Sequence, residues 1–352
     1  MLAARRLAVA LSALALMGTA MHLSAADAAA ATVPFERGVT VGEWGPTAYE
    51  PTATKRTFRT LKGAFGVDNV TLFVVWEQKD AKSTRIGPAR RAAPRRRIAA
   101  AIAAARRAGL RVTLRPYLDR LDGGWRGQIA PSSLARWFKS YEQFILEFAR
   151  VAQAHRVNTF VVGSEMVSLS GQSARWRRLV KRVRSRFHGT VTYQANWDEA
   201  RNVSWWDALD SISISAYYPL TRTPSPSVAE IVTGWKQYHG DAPRPVDWVA
   251  QVRELHNRYR KPVVFSEIGY RAVSRATAQP WNIGSLGPRS PQTQANAYEA
   301  AFRVWYRIPW FRGFNWWYVS PQPSLVQGLP GSDHRPGPAA LRALKRWYAK
   351  RR

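Results

Sequence analysis

Apolar positions along the chain change their period repeatedly, and the changes mark out strands and helices in alternation. Phe35–Trp44 reads as a first strand, ending in Gly42-Glu43-Trp44-Gly45-Pro46. Thr54–Phe65 has helical spacing with basic residues on its exposed side. Val67–Glu77, rich in β-branched and aromatic residues, predicts a buried second strand. Pro94–Ala108 predicts a helix stopped by Gly109, and Leu110–Asp119 a third strand. Pro131–His155 is a long helix that Ser132 or Ser133 can cap. Its Leu134, Trp137, Phe138, Tyr141, Phe144, Ile145 and Phe148 recur at helical spacing.

The second half continues the pattern. Asn158–Met166 is strand four, Ala174–Phe187 a helix and Gly189–Asn196 strand five. After a helical turn at Trp205–Leu209 comes strand six, Asp210–Tyr218. There Ile212, Ile214 and Ala216 alternate with Ser211, Ser213, Ser215 and Tyr217, so the strand has two chemically distinct faces. A Pro- and Ser-rich loop, Thr221–Ser227, leads to helices at Val228–Tyr238 and Val246–Tyr259. Lys261–Tyr270 is strand seven, Gln292–Tyr306 a helix, Phe311–Val319 strand eight and Pro338–Lys350 a last helix.

Eight strands with helices between them predict an α/β protein with a single (β/α)8 TIM barrel. No repeat of fixed period and no linker divides the chain. A doubly wound sheet would need a glycine-rich phosphate turn after strand one, and the sequence has none there.

The beginning of the chain breaks the pattern. Arg5 and Arg6 precede an apolar run, Leu7–Met17, which is short for a membrane span; small residues with Ala-x-Ala patterns follow. Residues 1–30 are therefore expected to be a secretory signal peptide, cleaved near Ala26–Ala31, rather than an uncleaved anchor. Residues 31–352 are expected to form the barrel domain, secreted or associated with the cell envelope. The sequence has no cysteine, so disulfides and thiolate chemistry are excluded.

The net charge of +30 is concentrated at Arg90-Arg91, Arg95-Arg96-Arg97, Arg175–Arg186 and Lys350-Arg351-Arg352. Most of these residues fall on predicted helices and read as solvated outer faces of an arginine- and alanine-rich chain. The sharper reading is attraction to an anionic envelope surface or an acidic polysaccharide. Nucleic acid is not an expected partner, because no recognition motif accompanies the charge. The protein is expected to act as a monomer with no integral membrane segment.

In a (β/α)8 barrel the chemistry sits at the C-terminal ends of the strands. That rule collects Glu43 and Trp44, Trp76 and Glu77, then Arg115, Tyr117 and Asp119. Glu165, Asn196 and Trp197, Tyr217 and Tyr218, Glu267, and Asn315, Trp316 and Trp317 complete the ring. Aromatic platforms beside amides and carboxylates suit a pyranose, which has an apolar face and a polar rim. Glu165 and Glu267, on strands four and seven, are the expected pair: two facing carboxylates are the minimal machinery for cutting a glycosidic bond. Strict alternation predicts that Thr159, Val161, Gly163 and Glu165 share one face of strand four and that Val263, Phe265 and Glu267 share one face of strand seven. Structural capping or arginine pairing would be the bland role for either glutamate alone. The six histidines show no metal-ligand spacing, no cofactor motif is present, and Ser332-Asp333-His334 reads as a surface turn.

These segments, in order, resemble the retaining glycosidases of clan A, and within it glycoside hydrolase family 113, whose described members are endo-β-1,4-mannanases. The resemblance rests on six segments: Leu114-Arg115-Pro116-Tyr117, Val162-Gly163-Ser164-Glu165-Met166, Tyr193–Glu199, Trp206–Tyr217, Phe265–Arg271 and Gly313-Phe314-Asn315-Trp316-Trp317. It implies a polysaccharide substrate and no cofactor, with Glu165 as acid/base and Glu267 as nucleophile. It also implies Tyr217 as a hydrogen-bond donor to the nucleophile and Trp316 or Trp317 as the aromatic beneath the sugar. Trp44, Arg115, Tyr117, Asp119, Ser164, Asn196 and Trp197 complete the expected substrate contacts. The chain departs from the family pattern at Ser164, where Asn is usual, and at Arg115 and Tyr117, where Lys and His would be expected. A non-catalytic polysaccharide-binding barrel and an envelope-polymer transglycosylase are the rival functions.

Overall fold

The computed structural model describes residues 35–350 apart from 46, 90–91, 242, 285 and 322–333. The expected signal peptide, Arg90-Arg91, Ser332-Asp333 and Arg351-Arg352 lie outside the described residues. Eight parallel strands close into a barrel: β1 (Glu36–Val41), β2 (Asn69–Gln78), β3 (Arg111–Arg120), β4 (Thr159–Ser164), β5 (Thr190–Asn196), β6 (Ser211–Ser215), β7 (Val263–Ile268) and β8 (Phe311–Val319). Each strand pairs with the next in sequence, and β1 pairs with both β2 and β8, which leaves no free barrel edge. Gly87–Pro88 adds a short antiparallel strip to β2.

The helices are α1 (Pro51–Phe65), α2 (Arg95–Arg107), α3 (Leu134–Ala154), α4 (Ser173–Arg184), α5 (Val228–Lys236), α6 (Trp248–Tyr259), α7 (Pro291–Trp305) and α8 (Pro338–Tyr348). Their starts and stops follow local chemistry. The Glu50 carboxylate caps α1 by accepting from the amides of Thr52 and Ala53, and Gly66, at φ 68°, ends it in the left-handed region. Ser227 and Glu230 form a capping box on α5. The apolar face of α3 buries Trp137, Tyr141, Phe144, Ile145 and Phe148. The Tyr141 hydroxyl donates to the Val162 carbonyl at 3.0 Å and so ties α3 to β4. No helix among the described residues is long and apolar enough to cross a membrane.

The barrel interior is polar, which explains the serine-isoleucine alternation of β6. Ile212 and Ile214 belong to the apolar core under the helices. Ser211 and Ser213 instead share a small interior space with Thr159, Thr192, Ser266 and Asn315. At the strand starts, Asn69 Nδ2 donates to Glu36 and to Asn315 Oδ1 (2.9 Å), and Thr71 donates to Asn315 Oδ1 (3.0 Å). Asn315 is thus a structural residue near the N-terminal end of the barrel, away from the strand ends where it was expected. These interior polar groups bond to one another, which is the condition for burying them without a large penalty.

Candidate active site

Two strands stop alternating just before their glutamates. Opposite β5, the register of β4 shifts between Val161 and Ser164. Gly163 then points outward: a Cβ there would meet Trp176, Tyr141 and Tyr193 at 3.0 Å each. This corrects the expected shared face of Gly163 and Glu165. Glu165 follows in the left-handed region at φ 54°, an uncommon conformation for a residue with a side chain. Neighbouring groups of β5 hold it there. The Glu165 amide donates to the Gln194 carbonyl at 2.8 Å, and the Met166 amide donates to the Tyr193 hydroxyl at 2.9 Å.

A second irregularity lies in β7, where Ser213 pairs with Val264 but Ser215 pairs with Glu267. Two residues of β6 thus span three of β7, the signature of a bulge. Phe265 packs outward against Trp235 and Trp305, so it does not share the face of Glu267 as alternation had predicted. The extra residue turns Glu267 toward Arg115, Gln194 and Tyr217.

The Glu267 carboxylate is buried and accepts three hydrogen bonds. Arg115 Nη1 donates to Oε2 at 2.5 Å and Gln194 Nε2 to the same oxygen at 3.1 Å, while the Tyr217 hydroxyl donates to Oε1 at 2.9 Å. Gln194 is itself set by Arg115 Nη1, which donates to its Oε1, and by Ser215 Oγ, which accepts from its Nε2. Burial pushes the Tyr217 phenol far up, and the Glu267 charge adds to the shift, so the hydroxyl stays a donor.

Glu165 has a different environment. Arg126, from a short 3-10 turn after β3, donates to Glu165 Oε2 at 2.9 Å and to Asp119 Oδ1 at 2.5 Å. Burial opposes the Arg126 charge, but Tyr117, Asp119 and Glu165 outweigh it and hold its pKa above the ordinary value. Two further acids lie close by. Asp198, at the rim, is shifted upward by desolvation, with the Glu165 charge acting in the same direction. Glu199 is fully buried and pushed up to about 8, chiefly by desolvation.

One aromatic ring joins the two halves. The Arg115 guanidinium lies 5.0 Å and the Arg126 guanidinium 3.6 Å from the centre of the Tyr117 ring. Gln194 makes a second link, its side chain on Glu267 and its carbonyl on the Glu165 amide. The arrangement is two buried carboxylates at the C-terminal ends of β4 and β7, one amid donors and one amid acids.

The family model of Glycoside Hydrolase Family 113 matches residues 40–324. The chain belongs to glycoside hydrolase family 113. A solved family 113 β-1,4-mannanase is 25% identical with TM-score 0.78, the match covering 90% of this chain and 99% of that one. The family 113 β-mannanase of Alicyclobacillus acidocaldarius is 28% identical with TM-score 0.77, the match covering 90% and 98%. A β-glucuronidase of Faecalibacterium prausnitzii, 16% identical with TM-score 0.57 over 89% and 48% of the two chains, shares the fold alone. No curated protein matches the sequence.

Within this family 113 hydrolase, Glu165, Glu267, Arg115, Tyr117, Asp119 and Tyr217 fall in one connected cluster. Trp317 joins it: the Arg115 guanidinium lies 5.1 Å from its ring centre, and Phe73 and the exposed Trp44 pack against it. Ser164 is buried in β4, with no hydrogen-bond partner for its hydroxyl among the described residues. Asn196 donates to Asp198 Oδ1 at 2.7 Å, and Trp197 stacks on the exposed Trp281 at the rim.

Two expected substrate contacts are corrected. Trp316 is fully buried and stacks on Tyr298 of α7, because adjacent residues on a strand face opposite sides. Arg115 is also fully buried, so it holds Glu267 from beneath rather than meeting a sugar. His334, expected on a surface turn, is buried and its ring meets Tyr217 edge-on.

The sequence reading missed Arg126, Gln194, Tyr193 and Glu199 as site residues. Gln194 had a signal: Thr190, Thr192, Gln194 and Asn196 alternate as polar positions along β5. Arg126 had none, because it sits in an aperiodic loop.

Proposed function

We propose that the protein is a secreted, monomeric, retaining β-glycosidase acting on β-1,4-linked mannose-type polysaccharide. Similarity to the family 113 mannanases supports the substrate class, and the apolar run at Leu7–Met17 supports export. The observation that carries the mechanism is the unequal setting of the two glutamates. Both oxygens of Glu267 accept from neutral or cationic donors, which suits an ionised, oriented nucleophile. Glu165 instead shares a single guanidinium with Asp119, so it has one cationic donor where Glu267 has three donors around it.

In this reading a Glu267 oxygen attacks the anomeric carbon as its bond to the leaving oxygen breaks, and Glu165 gives its proton to that oxygen. Glu165 then takes a proton from water as the water oxygen bonds to the anomeric carbon and the ester to Glu267 breaks. Activity on an aryl β-mannoside in the presence of azide tests the roles. Glu267→Ala should yield an α-glycosyl azide, and Glu165→Ala a β-glycosyl azide. Hydrolysis by either variant at the wild-type rate, or the opposite pair of azide anomers, would overturn the assignment.

A further inference from the structure

A groove of about 720 Å³ runs between α3 and α4 on the outside of the barrel. Lys139 and Arg150 stand on its α3 wall. Arg175, Arg178 and Arg182 stand on α4, with Arg186 just beyond that helix. Along α4 the positions follow i, i+3 and i+7, which puts them in one stripe. At 1.5 Å per residue, Lys139 and Arg150 stand about 17 Å apart along α3, and Arg175 and Arg182 about 10 Å apart along α4.

The groove also contains Glu142 and Glu147, but both are already paired. Glu142 meets Arg182 at 2.6 Å, and Glu147 meets Arg95 of α2 at 3.2 Å. Lys139, Arg150, Arg175, Arg178 and Arg186 form no ion pair among the described residues. A second surface groove, of about 470 Å³ between α7 and α8, is less strongly charged, with Arg342 its one cation outside the ion pairs of Glu299 among the described residues. There Glu299 pairs with both Arg303 (2.8 Å) and Arg346 (3.2 Å). Aligning five cations without matching acids costs electrostatic repulsion that an anionic occupant would relieve.

We propose that the α3–α4 groove is a binding site for an acidic polysaccharide with a carboxylate on successive sugar residues. Guanidinium groups donate to carboxylates in bidentate fashion, and cations set out along both walls suit a linear polymer with repeated charges. Phe138 and Leu146, both mostly buried, close the groove between the two walls, with the Arg175 guanidinium 5.7 Å from the Phe138 ring centre. The site lies on the helix layer and tethers the enzyme to an acidic glycan while the barrel mouth stays open to substrate. It does not depend on the assigned roles of Glu165 and Glu267, because binding is read without hydrolysis.

The test is fluorescence anisotropy of a labelled oligogalacturonate on the full protein at low salt. Arg150→Gln/Arg175→Gln/Arg178→Gln should weaken binding roughly 10-fold, the effect of losing three exposed charge pairs. The control Lys55→Gln/Arg56→Gln/Arg59→Gln removes the same charge from α1 and should change affinity less than about twofold. Equal loss in both variants would mean a diffuse field rather than a site, and an unchanged groove variant would sink the proposal outright. Polyphosphate or single-stranded DNA binding through the groove while oligogalacturonate does not bind would also overturn it.

Discussion

Arg126 Nη1 lies 2.9 Å from Glu165 Oε2, and the other terminal nitrogen of the same guanidinium lies 2.5 Å from Asp119. A loop residue with no periodic signal therefore bridges two acids at once, from the ends of β3 and β4. The contact is nearly dry, with the Arg126 and Glu165 side chains 10% and 9% exposed, so solvent screens it weakly.

Arg126→Gln should accordingly lower kcat/KM by about 100-fold, since breaking a mostly buried pair leaves uncompensated charge. Arg126→Lys should recover only part of the loss, because a single ammonium cannot span both carboxylates as the planar fork does. Steady-state kinetics on a soluble mannan check this, and Arg126→Gln at wild-type kcat/KM would refute it.

Tyr217→Phe removes a donor from Glu267 without changing the ring that packs against His334. A hydrogen bond to a charged group is worth about 1.5–3 kcal/mol, so kcat should fall roughly 10- to 100-fold. KM should barely change, because the hydroxyl already has its partner in the free enzyme. A change confined to KM would place Tyr217 on the sugar instead.

Glu199 supplies a pH dependence of stability. Its folded-state pKa, raised from 4.5 to about 8, means that the fold favours the protonated acid. Its contribution is therefore complete below about pH 4.5 and is lost as pH rises through about 8. Glu199→Gln should flatten that decline. Denaturant midpoints measured from pH 5 to pH 8.5 give the comparison, and parallel curves for the two proteins would exclude the assignment. The residue also matters locally: the Tyr193 hydroxyl that donates to Glu199 accepts from the Met166 amide, next to Glu165.

The tryptophan pair on β8 should divide structure from binding. Trp316→Ala empties a site packed against Tyr298 and Phe302 and should cost about 3–5 kcal/mol of stability. Trp317→Ala lies beside Arg115 and Trp44 and should act mainly on KM and kcat. Thermal melts and kinetics on both variants separate the two outcomes, and reversed effects would mean that the two rings have been assigned to the wrong sides.

How far the site could be read from the chain depends on where regular alternation held. In β6 it held, and Ser215, with Tyr217 just beyond the strand, was correctly separated from Ile212 and Ile214. In β4 and β7 it failed, because each strand carries an irregularity immediately before its glutamate. Glu165 and Glu267 could still be picked out as strand-end acids, but Gly163 and Phe265 were assigned to the wrong faces.

By itself, the sequence determined the strand and helix order, the eight-fold barrel, and the strands that carry Glu165 and Glu267. Those features follow from local hydrophobic period and from capping and turn residues, which are written within a few positions of where they act. Tertiary structure alone decided that Arg126 meets Glu165, that Gln194 touches both glutamates, and that Trp317 rather than Trp316 faces the site. Those contacts depend on register shifts and on closure of the barrel, which bring distant segments together, and no local period encodes either.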